Sequence, residues 1–125
     1  MLLQIDTHSG IPIYRQIMDQ IRYQILAEIL KPGDPLDSVR ELARSLKVNP
    51  MTVSKAYAYL EMEGLVERQR GIGLFAAELK PEDKLSRHTQ LLSELLEKAA
   101  ADAALLGISR EQFLTLAGKA ASKLK

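Results

Sequence analysis

The sequence contains no cysteine and no tryptophan, and only 5% of its residues are aromatic. The missing cysteines exclude a disulfide scaffold, a thiolate zinc site and a cysteine nucleophile, and they suit a reducing compartment. Neither sign of charge dominates: 17 basic residues stand against 16 acidic ones, for a net charge of +1. A wholesale basic field therefore cannot argue for a nucleic-acid partner, and any such argument must come from where the cations stand. No apolar run approaches the ~18 residues of a membrane span. The opening MLLQIDTHSG lacks the basic start and apolar block of a secretory signal. The expectation is a cytoplasmic chain with no membrane partner. GxSxG, P-loop and GxGxxG patterns are also missing. His8 and His88 lie far apart without HxxxH spacing, and the acids of Glu61-Met62-Glu63 and Glu82-Asp83 read as solvated charges. No enzyme activity, cofactor or metal is expected.

What is present is a 125-residue chain, 46% apolar and 26% charged, enough for one small domain and an appendage. Leu3 and Ile5 alternate with Gln4 and Asp6, which predicts a short strand ending at Ser9-Gly10. From a helix opened by Pro12, the residues Tyr14, Ile17, Met18, Ile21, Ile25 and Ile29 recur at spacings of three and four. That pattern is the apolar stripe of an amphipathic helix, stopped by Lys31-Pro32-Gly33-Asp34-Pro35. Ser38-Val39-Arg40-Glu41 is a capping box opening a second helix, whose buried face is Val39, Leu42, Ala43 and Leu46. After a tight turn at Lys47-Val48, Asn49 caps a third helix with Pro50 in its first position, and Gly64 ends it. Leu65-Val66 and Leu74-Phe75-Ala76 read as two strands joined by Gly71-Ile72-Gly73, glycines that suit the positive φ of a hairpin tip.

The expected fold is thus mainly α with a small β-hairpin wing: a winged helix-turn-helix over residues 1–77, followed by two C-terminal helices over 78–125. Lys80-Pro81-Glu82-Asp83 reads as the polar linker between them. Beyond it Leu85, Leu92, Ala99 and Leu106 are seven apart, with Leu95, Leu96 and Ala103 beside them, and Gly107 ends this long helix. Ser109-Arg110-Glu111-Gln112 is a second capping box, with Ile108 and Phe113 as its hydrophobic staple. Two amphipathic helices make a thin core, so a second copy of the chain is the expected partner. Leu85, Leu92, Leu95, Leu96, Ala99, Ala103, Leu106 and Phe113 are the candidate dimer residues.

Stepping the third helix at 100° per residue puts Val53, Ala56, Tyr57 and Leu60 on its buried face. Met51, Lys55, Ala58 and Met62 then lie opposite, with Thr52, Ser54 and Tyr59 on the flanks. This outer face is short and nearly uncharged, which suits the floor of a major groove, where thymine methyls accept apolar contact. Arg40 and Arg44 on the preceding helix, and Arg68 and Arg70 at the wing, stand where phosphates would flank that groove.

The stretch Pro12–Ala77 resembles the winged-helix domain of the GntR family of bacterial transcription regulators. The resemblance is carried by Pro12-Ile13-Tyr14, Pro32-Gly33-Asp34, Leu36, Ser38-Val39-Arg40-Glu41-Leu42-Ala43, Val48-Asn49-Pro50, Thr52-Val53, Ala56-Tyr57, Leu60-Glu61, Glu63-Gly64-Leu65-Val66, Gly71 and Gly73. With only a short two-helix tail, the chain is similar to the YtrA-type branch. Members of that branch dimerise through the tail and often sit in operons for ATP-driven transporters. The resemblance implies that Ser38 and Arg40 meet phosphate or base. It also implies that Asn49, Met51, Thr52, Ser54 and Lys55 face the groove or its walls, and that Arg70 and Gly71 reach the minor groove. Asp37 stands where the family commonly has Pro, Lys47 where it has a turn Gly, and Met51 where it has a polar residue. The function expected is a homodimeric repressor on a near-palindromic operator, its partners being double-stranded DNA and a second copy, with a small-molecule effector left open. The rival is a winged-helix module for protein–protein contact alone; salt-dependent duplex binding separates the two.

Overall fold

A computed structural model describes residues 1–125. Its elements are α1 (Ile13–Leu26), α2 (Val39–Leu46), α3 (Pro50–Met62), β1 (Val66–Gln69), β2 (Gly73–Ala76), α4 (Pro81–Leu105) and α5 (Arg110–Ala121). The chain divides into two compact units, Met1–Arg87 and His88–Lys125, and α4 runs through the division. Lys80–Asp83, read from sequence as a linker, is the entry and first turn of that helix, with Pro81 at its start.

In the first unit α3 is the central helix, packed on one side by α1 and on another by α2. Ile17 and Ile21 of α1, Leu42 of α2, and Val53, Ala56 and Leu60 of α3 are essentially inaccessible to solvent. Burial of each large side chain of this kind is worth about 1.5–3 kcal/mol, so these few residues hold the three helices. The expected stripe of α1 is buried at Ile17, Met18, Ile21 and Ile25 but not at Ile29, which is 63% exposed. The helix stops four residues short of Leu30, before any proline is reached. Glu28 adopts a left-handed φ of 58°, and the amides of Glu28 and Ile29 donate to the carbonyls of Ile25 and Gln24. This pair of hydrogen bonds closes the helix, and Leu30, not Ile29, enters the core.

The expected N-terminal strand does not form. Residues 2–6 are extended, with Leu3 and Ile5 half-buried and Leu2, Gln4 and Asp6 exposed. Their partners are glutamine side chains of α1. The amides of Gln4 and Asp6 donate to Gln20 Oε1 and Gln16 Oε1, both at 2.9 Å, and the two glutamines donate back to the Gln4 and Asp6 carbonyls. Gln24 donates to the Leu2 carbonyl. The match is geometric: alternate residues of an extended chain advance about 6.7 Å, and four helical residues about 6 Å.

β1 and β2 form an antiparallel hairpin with Val66 opposite Ala76 and Gln69 opposite Gly73. The loop after α1 adds a third edge: Gly33 donates to the Ala76 carbonyl, Ala76 to the Asp34 carbonyl, and Leu36 to the Leu74 carbonyl. Pro35, bridged to Phe75, sits within this edge, where its missing N–H costs nothing.

In the second unit Ala103 is the one fully buried residue, while Ile108, Phe113 and Ala117 are half-covered. The capping box of α5 is complete, with Ser109 Oγ accepting from Gln112 and Gln112 Oε1 from Ser109. No helix of the chain is long and apolar enough to cross a membrane.

Candidate nucleic-acid interface

Two caps and one left-handed turn set the helix-turn-helix. Ser38 Oγ accepts from the Glu41 amide at 3.0 Å, and Glu41 Oε1 accepts from the Ser38 amide at 3.3 Å. This fixes where α2 begins and leaves the serine hydroxyl hydrogen as a donor. Lys47, at φ 57°, ends α2, with its own amide bonded to the Arg44 carbonyl and the Val48 amide to the Ala43 carbonyl. Asn49 Oδ1 then accepts from the Met51 amide at 2.8 Å and starts α3, keeping its NH2 group as a donor.

The rotation of α3 follows the sequence reading. Val53, Ala56, Tyr57 and Leu60 are buried, and Met51, Ser54, Lys55 and Ala58 are exposed, Met51 by 77%. Thr52 is half-buried on the flank. Arg40 and Arg44 are exposed on α2, and Arg70 is exposed just after β1, beside Gly71 at φ 76°. A cleft of about 380 Å³ brings the three elements together: Ser38 and Glu41 of α2, Ser54 and Tyr57 of α3, and Ile72 and Gly73 of the wing share its lining. Its floor is pinned by the Tyr57 hydroxyl, which donates to the Asp37 carbonyl at 2.7 Å. Burial, reinforced by the nearby carboxylates of Asp37 and Glu41, holds that phenol well above its ordinary pKa.

Charge pairing is uneven over the unit. Arg22 binds Glu63 at 2.7 Å and Asp19 at 3.0 Å, Arg15 approaches Asp19, and Lys84 pairs with Glu28. Arg87 donates to the Glu63 carbonyl at the end of α3. Arg68, a wing cation, lies against Glu61 of α3 through two bonds of 3.1 and 3.2 Å. By contrast Arg40, Arg44, Lys47, Lys55 and Arg70 make no ion pair. One of these has an aromatic neighbour that sequence reasoning treated only as part of a core stripe. The Lys55 ammonium stands 4.0 Å from the ring centroid of Tyr14, and Tyr14 stacks on Tyr59 with centroids 5.7 Å apart. The only signal for this in the sequence is the presence of tyrosines on facing helices.

The chain's residues 13–76 match the model of the family described as bacterial regulatory proteins, gntR family. The HTH-type transcriptional repressor YtrA of Bacillus subtilis is 41% identical over 111 residues, spanning 89% of this chain and 85% of that protein. A GntR family transcriptional regulator from Listeria monocytogenes superposes with a TM-score of 0.72 at 33% identity, covering 92% of this chain and 98% of that one. The DNA-binding domain of AraR, in complex with operator ORE1, superposes with a TM-score of 0.52 at 25% identity, covering 62% of this chain and 94% of that one. The chain belongs to the GntR family of bacterial regulatory proteins, and it is a DNA-binding transcription regulator rather than an enzyme.

Proposed function

We propose that the protein is a cytoplasmic repressor that binds a near-palindromic operator as a homodimer, one winged helix to each half-site. The observation that carries this reading is the set of cations around α3 that have no acidic partner: Arg40, Arg44, Lys47, Lys55 and Arg70. Cations held against carboxylates have little to gain from phosphate; these have everything to gain. Ser38, Arg40 and Arg44 position the duplex through its backbone. Asn49, Met51, Thr52, Ser54 and Lys55 line the major groove, and Arg70 with Gly71 enters the minor groove at the flank. The similarity to a protein named as a repressor, and to a domain solved on an operator, supports the same reading.

Residues 78–125 are the dimerising tail. Leu85, Leu92, Leu95, Leu96 and Leu106 are all exposed in the single chain, an apolar set that a second copy would cover together with Ala99 and Phe113. Ala103 is already covered within the chain and would only back this surface. The genes expected under its control are those of a transporter operon, as in the YtrA-type branch.

Selection of bound sequences from a random duplex pool, followed by affinity measurements at several salt concentrations, tests the proposal. Affinity should fall steeply with salt, and Arg40→Ala should weaken selected and random duplexes alike while lowering the salt slope by about one. Arg70→Ala should weaken most the operators flanked by A·T pairs. Absence of any salt-dependent duplex binding would leave a protein–protein module in its place.

A further inference from the structure

We propose that Tyr14 of α1 is a positioning residue for sequence reading: its ring holds the Lys55 ammonium in place on the outer face of α3 before DNA arrives. The inference rests on the reading of α3 as the groove helix. A lone exposed lysine has four rotatable bonds and must give up that freedom to contact a base or phosphate. Here the freedom is already restricted, because the ammonium lies 4.0 Å from the Tyr14 centroid, well inside the ~6 Å range of cation–π attraction. The ring itself is braced. Tyr59, one turn beyond Lys55 on α3, stacks on Tyr14 at 5.7 Å with the planes 22° apart. Tyr14 cannot drift either, since α1 is locked to α3 by Ile17 and Ile21 packed into the same core. Lys55 is thus the one groove-face cation whose direction is set by another helix. No carboxylate competes for it, so the charge remains available to DNA while the stem is ordered.

A ring that acts through Lys55 makes three demands. In the unbound protein the Lys55 Cε protons should be shifted upfield by the ring current, in wild type and Tyr14→Phe but not in Tyr14→Leu. Tyr14→Phe should bind the selected operator as wild type does, whereas Tyr14→Leu should lose about two- to five-fold in affinity and relax base preference where Lys55 reads. In a Lys55→Ala background Tyr14→Leu should cost nothing further. If Tyr14→Leu does not fold by circular dichroism, Tyr59→Leu, which removes the brace, takes its place in the same cycle. A Tyr14→Phe loss equal to that of Tyr14→Leu would overturn the proposal, because the phenol hydroxyl and not the ring would then be what matters. An undiminished Tyr14→Leu loss in the Lys55→Ala background would overturn it equally. Failure of the wild-type protein to bind any duplex would instead overturn the groove assignment of α3, so the two failures are distinguishable.

Discussion

Lys47 occupies the turn between α2 and α3 with φ 57° and ψ 45°, a left-handed conformation that a Cβ atom resists. Glu28 does the same at the end of α1 with φ 58°. Each closes its helix by the same pair of amide-to-carbonyl bonds that Gly64 and Gly107 form after α3 and α4. Lys47→Gly should therefore stabilise the protein by about 1 kcal/mol, measured by urea unfolding. Glu28→Gly should gain less, because it also removes the ion pair with Lys84; equal gains would show that this pair contributes nothing. Tyr57 supplies a pH-dependent term. Its pKa is raised in the fold above the ordinary value of 10.0, first by burial and then by Asp37 and Glu41. Folding therefore favours the protonated phenol: the contribution is complete below about pH 10 and is lost as the pH rises past that value. Tyr57→Phe should destabilise the protein by about 1 kcal/mol at neutral pH, since the Asp37 carbonyl loses its donor. The deficit should shrink above about pH 10. A deficit independent of pH in denaturant titrations would exclude Tyr57 as the titrating group.

Among the elements, the wing is tied to the rest of the unit at both ends. At its base the Gly33–Leu36 segment hydrogen-bonds to β2. Towards its tip Arg68 of β1 grips Glu61 of α3. The pair engages a cation that could otherwise meet phosphate, and it links the wing to α3. Arg68 is mostly exposed and Glu61 is more than a third exposed, so solvent screens the pair and it adds little to stability. Glu61→Gln should leave the melting temperature nearly unchanged while releasing Arg68. Binding to random duplexes should then strengthen, with a salt slope steeper by about one. An unchanged slope would mean that Arg68 faces away from the DNA backbone.

For the whole molecule, the proposed dimer of the tail would set the binding mode. Leu95 and Leu96 are each about half exposed in the single chain, and Leu92 and Leu106 more so. Leu95→Asp should place a charge within the proposed interface and give the mass of a monomer in light scattering. Linking two winged helices makes the second half-site contact intramolecular. The variant should therefore lose about a hundredfold in affinity for the full operator while binding an isolated half-site as wild type does. A wild-type chain that is monomeric at micromolar concentration would refute the dimer.

Much of this architecture is local and so is written in the sequence. Ser38 with Glu41, Asn49 with Pro50, and Ser109 with Gln112 are helix starts whose partners lie within three residues, and all three act as such. The rotation of α3 was legible for the same reason, since helical period alone sorts Val53, Ala56, Tyr57 and Leu60 from Met51 and Lys55. Helix ends marked by glycine were equally plain. The end of α1 was not, because its left-handed residue is Glu28, a conformation held by the two closing hydrogen bonds and accompanied by burial of Leu30. The alternation of Leu3 and Ile5 gave the right faces of an extended segment, but its hydrogen-bond partners are side chains of Gln16, Gln20 and Gln24, up to 22 residues away. The candidate interface divides in the same way. Arg40, Arg44, Lys55, Arg68 and Arg70 could be named from sequence and Lys47 was not, yet which of them are paired was decided by tertiary structure: Arg68 meets Glu61 across two elements, and Lys55 meets Tyr14 from another helix. Caps and helical period act over a few residues, whereas ion pairs and ring contacts depend on which side chains the packed core brings within a few ångströms.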